Sequence, residues 1–202
     1  MSTLSAESAS TAQRRARLAD LLAERSARRG TFTLASGRTS DLYIDARLTT
    51  MSPDGLALIG PLGLDLLAES GWLVDAVGGL TLGADPIAYA VAYASTVARG
   101  AGEWVRAFTV RKQPKAHGTG QRIEGPFRSS DRVAVVEDVI TTGGSALQAV
   151  EAVRAAGGVV VGVLAIVDRE EGGREAIEQA AGVPVLSLVR AAEVVGRLSL
   201  PG

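Results

Sequence analysis

The stretch Val133–Val150, VAVVEDVITTGGSALQAV, constrains the fold more than any other part of this chain. Val133–Val136 is short, wholly apolar and mostly β-branched, which suits a strand buried on both faces of a parallel sheet. From Ser145 to Ala156 the apolar residues Ala146, Val150 and Val153 recur at three- and four-residue steps. That spacing predicts a helix, with Gly157 placed to end it. Between strand and helix stand two adjacent carboxylates, Glu137 and Asp138, followed by Thr141-Thr142-Gly143-Gly144-Ser145. Strand, acid, acid, small-residue loop and helix is the order of a ligand site at the carboxyl edge of an open α/β sheet.

A loop of small residues entering a helix presents unpaired backbone N–H groups at the positive end of the helix dipole. Glycines allow close approach and the Thr and Ser hydroxyls add donors, so Thr141–Ser145 can cradle a phosphate monoester. The loop has no Lys and lacks the G-x-x-x-x-G-K-[ST] spacing, so it is not the common nucleoside triphosphate loop. Two carboxylates just ahead of a 5′-phosphate site are good partners for the vicinal hydroxyls of a ribose. The plain alternative is a strand that ends in two acids and a turn, and it needs the whole order to be accidental.

The remaining chain fits one α/β domain of 202 residues, long enough for a full core. Residues 1–13 read as a disordered Ser/Ala/Thr-rich tail, and 14–202 as the domain, with an N-terminal hood over about 14–50. Hydrophobic residues make up 47% and charged residues 21%, the balance of a globular protein. A net charge of −1 argues against a nucleic-acid or membrane surface. No cysteine is present and there is one histidine, which excludes thiolate and multi-histidine metal centres. There is no long apolar run, and Arg14-Arg15 leads into no secretion segment, so a cytoplasmic location is expected.

Arg14–Arg28 is expected to be an amphipathic helix, with Leu18, Leu21 and Leu22 on one face and a solvated face of arginines interleaved with Asp20 and Glu24. Ser36-Gly37-Arg38 reads as a hairpin turn between a strand ending at Leu34 and one beginning near Leu42. Ser52-Pro53 and Asp85-Pro86 mark helix starts. The first of those helices should face the sheet with Leu56, Ile59, Gly63, Leu66 and Leu67. Strands are predicted over Val74–Val77, Trp104–Val110, Val159–Val167 and Val183–Val189, with Gly78–Gly83 a flexible loop. Arg111–Gly120 packs three cations, the only histidine, a proline and two glycines into an exposed loop.

Val133–Ser145 resembles the phosphoribosyl-diphosphate motif of type I phosphoribosyltransferases: apolar residues, two acids, two apolar or small residues, then Thr-x-Gly-x-Ser/Thr. Two further stretches resemble the orotate phosphoribosyltransferase branch. Thr31–Arg47 is similar to its opener, Phe-x-Leu-x-Ser-Gly-x-x-Ser followed by an aromatic and an acid. Arg111–Gly118 is similar to its catalytic loop, Arg-Lys-x-x-Lys-x-His-Gly. The resemblance covers roughly residues 14–195.

The resemblance implies a mostly parallel central sheet flanked by helices, and transfer of phosphoribosyl from phosphoribosyl diphosphate to orotate. It assigns the phosphoribosyl diphosphate to Glu137, Asp138, Val139, Ile140, Thr141, Thr142, Gly143, Gly144 and Ser145, with Arg111, Lys112, Lys115 and His117. Catalysis falls to Lys112, Lys115, His117 and Asp138. Orotate is assigned to Thr141, Arg169 and Tyr43; Tyr43 can stack on the base or sit half-buried in a strand. Arg169 can fork onto the orotate carboxylate or pair with Glu170 or Glu171. The resemblance also implies Mg²⁺ held mainly by the substrate, and a homodimer whose loop serves the neighbouring site. Many members carry Lys where this chain has Ala35 and paired aromatics where it has Tyr43-Ile44, so Arg38 is a candidate replacement for that Lys. The Gly78–Gly83 loop lacks any basic residue, which leaves backbone N–H groups and Thr81 to serve a diphosphate. A purine phosphoribosyltransferase and a non-catalytic sensor of phosphoribosyl diphosphate share the central motif and stay as alternatives.

Overall fold

A computed structural model describes residues 10–33, 39–99, 104–113 and 122–198. The chain opens with α1 (Thr11–Leu21), continues through a π-helical turn (Leu22–Ser26), and forms an antiparallel hairpin of β1 (Ala27–Thr33) and β2 (Thr39–Ile44). A short α2 (Arg47–Thr50) and the long α3 (Pro53–Glu69) lead to β3 (Ala76–Leu80), α4 (Ala84–Arg99), β4 (Arg106–Val110) and the two-residue β5 (Ile123–Glu124). The second half runs β6 (Arg132–Ile140), α5 (Gly144–Ala155), β7 (Val159–Asp168), α6 (Gly173–Ala181), β8 (Val185–Arg190) and α7 (Ala191–Val195). The main sheet has the order β5-β4-β3-β6-β7-β8 and is parallel except for β5, which runs antiparallel to β4. This is the expected α/β architecture.

Two apolar layers clamp the sheet. On one face Ile59, Leu62 and Leu67 of α3 and Ile87 and Val91 of α4 pack with Leu164 and Ile166 of β7. On the other, Ala149, Val150 and Val153 of α5 and Ile177 of α6 pack with Val133, Val135 and Val163. Of the predicted α3 stripe, Ile59, Gly63 and Leu67 are buried and Leu56 and Leu66 partly so.

Several boundaries differ from the sequence reading. The first helix starts at Thr11, inside the stretch expected to be disordered, because Ser10 and Gln13 form a reciprocal capping box. It gives way to extended backbone at Ala27, before Arg28, and packs Leu18 and Leu22 into the sheet core. The hairpin's second strand begins at Thr39, ahead of Leu42; residues 34–38, with Ala35 and Arg38, lie outside the described residues. The β3 strand covers Ala76–Leu80, later than Val74–Val77, so Gly78 and Gly79 are strand and only Thr81–Gly83 is loop. Their lack of side chains is what lets three strands close up: a Cβ on Gly78 would meet Phe108, and one on Gly79 the Val136 carbonyl and the Ala84 methyl. Within α4, Asp85 sits in the first turn, where its carboxylate accepts from the Thr81 and Thr109 hydroxyls. The central strand runs on past Val136 to Ile140, so both acids lie within it.

Gly79→Ala therefore forces neighbouring strands apart and should cost about 1–3 kcal/mol, the usual range for overpacking. In a protein of this size that lowers the thermal midpoint by several degrees, on the order of 2–4 °C per kcal/mol. An unchanged midpoint would contradict this account of the strand packing.

Candidate active site

Chain direction places the site. From β3 the chain crosses toward β4 on one side, and from β6 toward β7 and β8 on the other, so the adjacent β3 and β6 form the switch point where open sheets bind ligands. A cleft of about 850 Å³ opens there. Its walls come from Thr81–Gly83, Glu137–Val139 with Thr141 and Ser145, Arg111–Gln113, Arg169, and Tyr43–Arg47 at the exit of the hairpin.

Glu137 is 6% exposed, and its buried Oε2 has no hydrogen-bond partner among the described residues. Burial, and then the neighbouring Asp138, push its carboxyl well above the ordinary range, while Lys112 pulls weakly the other way. Asp138 turns toward the cleft, where its Oδ1 accepts from the Val139 N–H. Gly83 faces it so closely that a Cβ there would stand 2.5 Å from the Asp138 Cγ. A buried, partnerless oxygen beside a cleft-facing carboxylate is well arranged to receive two adjacent hydroxyls.

Beyond the acids the chain turns sharply into α5. Gly143 has φ +83°, and a side chain there would also strike Ile177 at 2.6 Å. Among the described residues no side chain caps α5, and its first turn borders a small hollow of about 80 Å³ lined by Val139–Ala146 and Glu137. That exceeds the ~30 Å³ share of one water and suits an oxyanion.

Lys112 is exposed on the cleft rim, and Arg111 pairs with Glu124 at 3.5 Å. Lys115 and His117 lie outside the described residues. Thr81, expected to donate to a diphosphate, has its donors engaged: its N–H goes to the Val110 carbonyl at 2.9 Å and its hydroxyl to Asp85 at 2.7 Å. Tyr43 is 43% exposed, tilted against Phe32 with ring centroids 5.3 Å apart, and lines the cleft.

Arg169 is buried at the end of β7. Its Nη2 donates to Glu171 at 2.6 Å, to the Leu42 carbonyl at 2.9 Å and to the Ser40 hydroxyl at 3.0 Å, while its Nε has no partner among the described residues. The ion pair is thus with Glu171; Glu170 instead accepts from the Ala192 N–H. Arg169 ties the hairpin to the sheet, a role the sequence reading missed because Ser40 and Leu42 are remote in sequence. Asp45 and Arg47, also on the cleft, were missed as well; a charged pair directly after the apolar end of β2 was the available signal.

An acid pair and an anion cradle at the switch point of a parallel sheet, with an antiparallel hairpin beside them, define a type I phosphoribosyltransferase. No family model matches the chain. It is 48% identical over 184 residues to the orotate phosphoribosyltransferase of Aquifex aeolicus, covering 90% of this chain and 97% of that one. The Mycobacterium tuberculosis H37Rv orotate phosphoribosyltransferase in complex with Fe(III) dicitrate aligns with a TM-score of 0.75 at 47% identity, over 90% of this chain and 98% of that one. The same enzyme in complex with 5-phospho-α-D-ribosyl 1-diphosphate aligns at 0.73 and 43%, over 90% and 99%. The chain belongs to the orotate phosphoribosyltransferase family.

The Glu137 environment has a measurable consequence. The folded state holds this proton more tightly than the unfolded chain does, whose glutamates titrate near ~4.3. Stability from this group is therefore present below that value and is lost as pH rises through the raised pKa. Glu137→Gln removes the penalty, so its thermal midpoint should exceed wild type at about pH 7–8 and converge with it near ~pH 4. A constant gap across that range would show that Glu137 is not held toward its neutral form.

Proposed function

We propose that this chain transfers the 5-phosphoribosyl group from phosphoribosyl diphosphate to orotate, giving orotidine 5′-monophosphate and diphosphate in pyrimidine (UMP) biosynthesis. The observation that carries the reading is the cleft at the switch point, where the acid pair lies next to the α5 anion cradle. Family membership over nine-tenths of the chain favours orotate over a purine base and over a purely regulatory role.

Thr141–Ser145 hold the 5′-phosphate, and Glu137 and Asp138 accept from the ribose hydroxyls. Tyr43 offers a face to the planar base, and Arg169 and Thr141 border the base site. Lys112 and Arg111, with Lys115 and His117 assigned by resemblance, neutralise the departing diphosphate while C1′ gains oxocarbenium character. The C1′–O bond breaks, orotate N1 bonds to C1′, and the N1 proton is lost. Positioning and electrostatics do the work, with no covalent nucleophile.

Mg²⁺ belongs to this reading. In this reading it would be held mainly by the ribose and diphosphate oxygens of the bound substrate, beside the acid pair. Bound there, the ion supplies neutralisation of diphosphate charge.

A cytoplasmic homodimer completes the reading. Among the described residues no helix is long and apolar enough to cross a membrane. An apolar groove of about 660 Å³ between α3 and α4 leaves Tyr93 73% and Val97 74% exposed, which supports cover by a second copy.

Orotate absorbance should fall only when phosphoribosyl diphosphate and Mg²⁺ are both present, and adenine or hypoxanthine should not substitute. Conversion of a purine in place of orotate would overturn the reading. In a shared-site dimer, Asp138→Ala and Lys115→Ala chains should each be nearly inactive. Refolded together one to one, they should recover about one quarter of wild-type activity, because random two-fold pairing makes half the dimers hybrids with one intact site each. No recovery in a mixture shown to contain hybrids would contradict sharing.

A further inference from the structure

In the proposed reaction the cleft accepts a diphosphate, and the cations along its walls are what meet that charge. Thr81–Gly83 contains no cation, and both Thr81 donors are used within the protein. Among the described residues the cleft is lined by four cations, Arg47, Arg111, Lys112 and Arg169. Arg169 is buried and serves three acceptors, and Arg111 leans on Glu124. Lys112 lies at the exit of β4. Arg47 alone comes from the hairpin side.

Its mounting is unusually firm for an exposed side chain. The Asp45 N–H donates to the Ser26 carbonyl at 2.9 Å, and two residues beyond Arg47 the buried Thr49 hydroxyl lies 2.8 Å from that of Ser26. Asp45 then grips the guanidinium through a fork, Nε to Oδ1 at 2.8 Å and Nη2 to Oδ2 at 2.9 Å. Asp138 lies within electrostatic reach of the guanidinium, as does Tyr43. Since Asp138 also abuts Gly83, the series Arg47, Asp138, Gly83 runs from the hairpin to the Thr81–Gly83 loop.

We propose that Arg47 binds the diphosphate of phosphoribosyl diphosphate, and that Asp45 is the positioning residue that holds the guanidinium ready until the diphosphate displaces it. The proposal rests on the function proposed above. A planar guanidinium can fork onto two phosphate oxygens as it does onto a carboxylate. The Arg47 side chain is 47% exposed, so its bond to Asp45 is screened and cheap to exchange for a multiply charged partner. A single orotate carboxylate offers much less charge for that exchange.

Calorimetric titration with inorganic diphosphate and Mg²⁺, alongside initial rates for both substrates, tests this. For Arg47→Ala, diphosphate affinity should fall and KM for phosphoribosyl diphosphate rise, each by about tenfold or more, with KM for orotate within about twofold of wild type. Arg47→Lys should recover only part of the loss, because the fork is gone. Asp45→Asn should alter diphosphate affinity in the wild-type background and leave it unchanged in Arg47→Ala, since Asp45 acts only through Arg47. Among the described residues the side chain hydrogen-bonds only to Asp45, so the thermal midpoint of Arg47→Ala should stay near wild type; if that variant does not fold, Arg47→Lys carries the same comparison. Diphosphate affinity unchanged in the folded variant, or a loss confined to orotate, overturns the proposal. A wild-type protein that binds diphosphate but leaves orotate unconverted would instead overturn the function, with the role of Arg47 still read from the binding arm.

Discussion

The carboxyl edge of the sheet depends on a carboxyl group buried within its central strand. Glu137 lies within β6, in register with Ala165 of β7, and is almost wholly removed from water. An unpaired carboxylate there is costly, and the fold meets this by favouring the neutral form. Among the described residues one oxygen stays without a partner. Such an atom is tolerated where a ligand can satisfy it, and the cleft beside it is where a sugar hydroxyl would arrive.

That arrangement requires β3 and β6 to lie edge to edge with no side chain between them. Gly79 against the Val136 carbonyl and Gly83 against Asp138 supply the space. The opposite exits of the two strands open the crevice, and the start of α5, with no side-chain cap among the described residues, lies next to the acids. The hairpin is coupled to this edge by Arg169, whose Nη2 reaches Ser40 and Leu42, and by Asp45 and Arg47 at its exit. Movement of the hairpin would therefore change the shape of the cleft.

Much of this was legible in the sequence, for local reasons. The order of Val133–Val150 encodes strand, acid pair, cradle and helix within one continuous segment, and the Ser52-Pro53 start announces itself by cap chemistry. What escaped depends on contacts distant in sequence. Gly78 and Gly79 have low strand propensity and read as loop, yet Phe108 and Val136 enclose them in the sheet. Strand β6 runs through two acids because β7 pairs with it as far as Ile140 and Asp168. Thr81 was given to a ligand although its hydroxyl partner Asp85 stands only four residues on; its N–H bond to the Val110 carbonyl is the part that joins residues distant in sequence. The Arg169 partners in the hairpin, 129 and 127 residues away, leave no trace in spacing.

The central claim is that the acid pair receives the ribose while the start of α5 receives its 5′-phosphate. A crystal structure of the protein with ribose 5-phosphate tests it most directly. The phosphate should lie within hydrogen-bond distance of the backbone N–H groups of Thr141–Ser145. The 2′- and 3′-hydroxyls should donate to Glu137 and Asp138, with the partnerless Oε2 of Glu137 satisfied. A phosphate seated elsewhere, or a sugar bound there with its hydroxyls turned away from both carboxylates, would contradict the account.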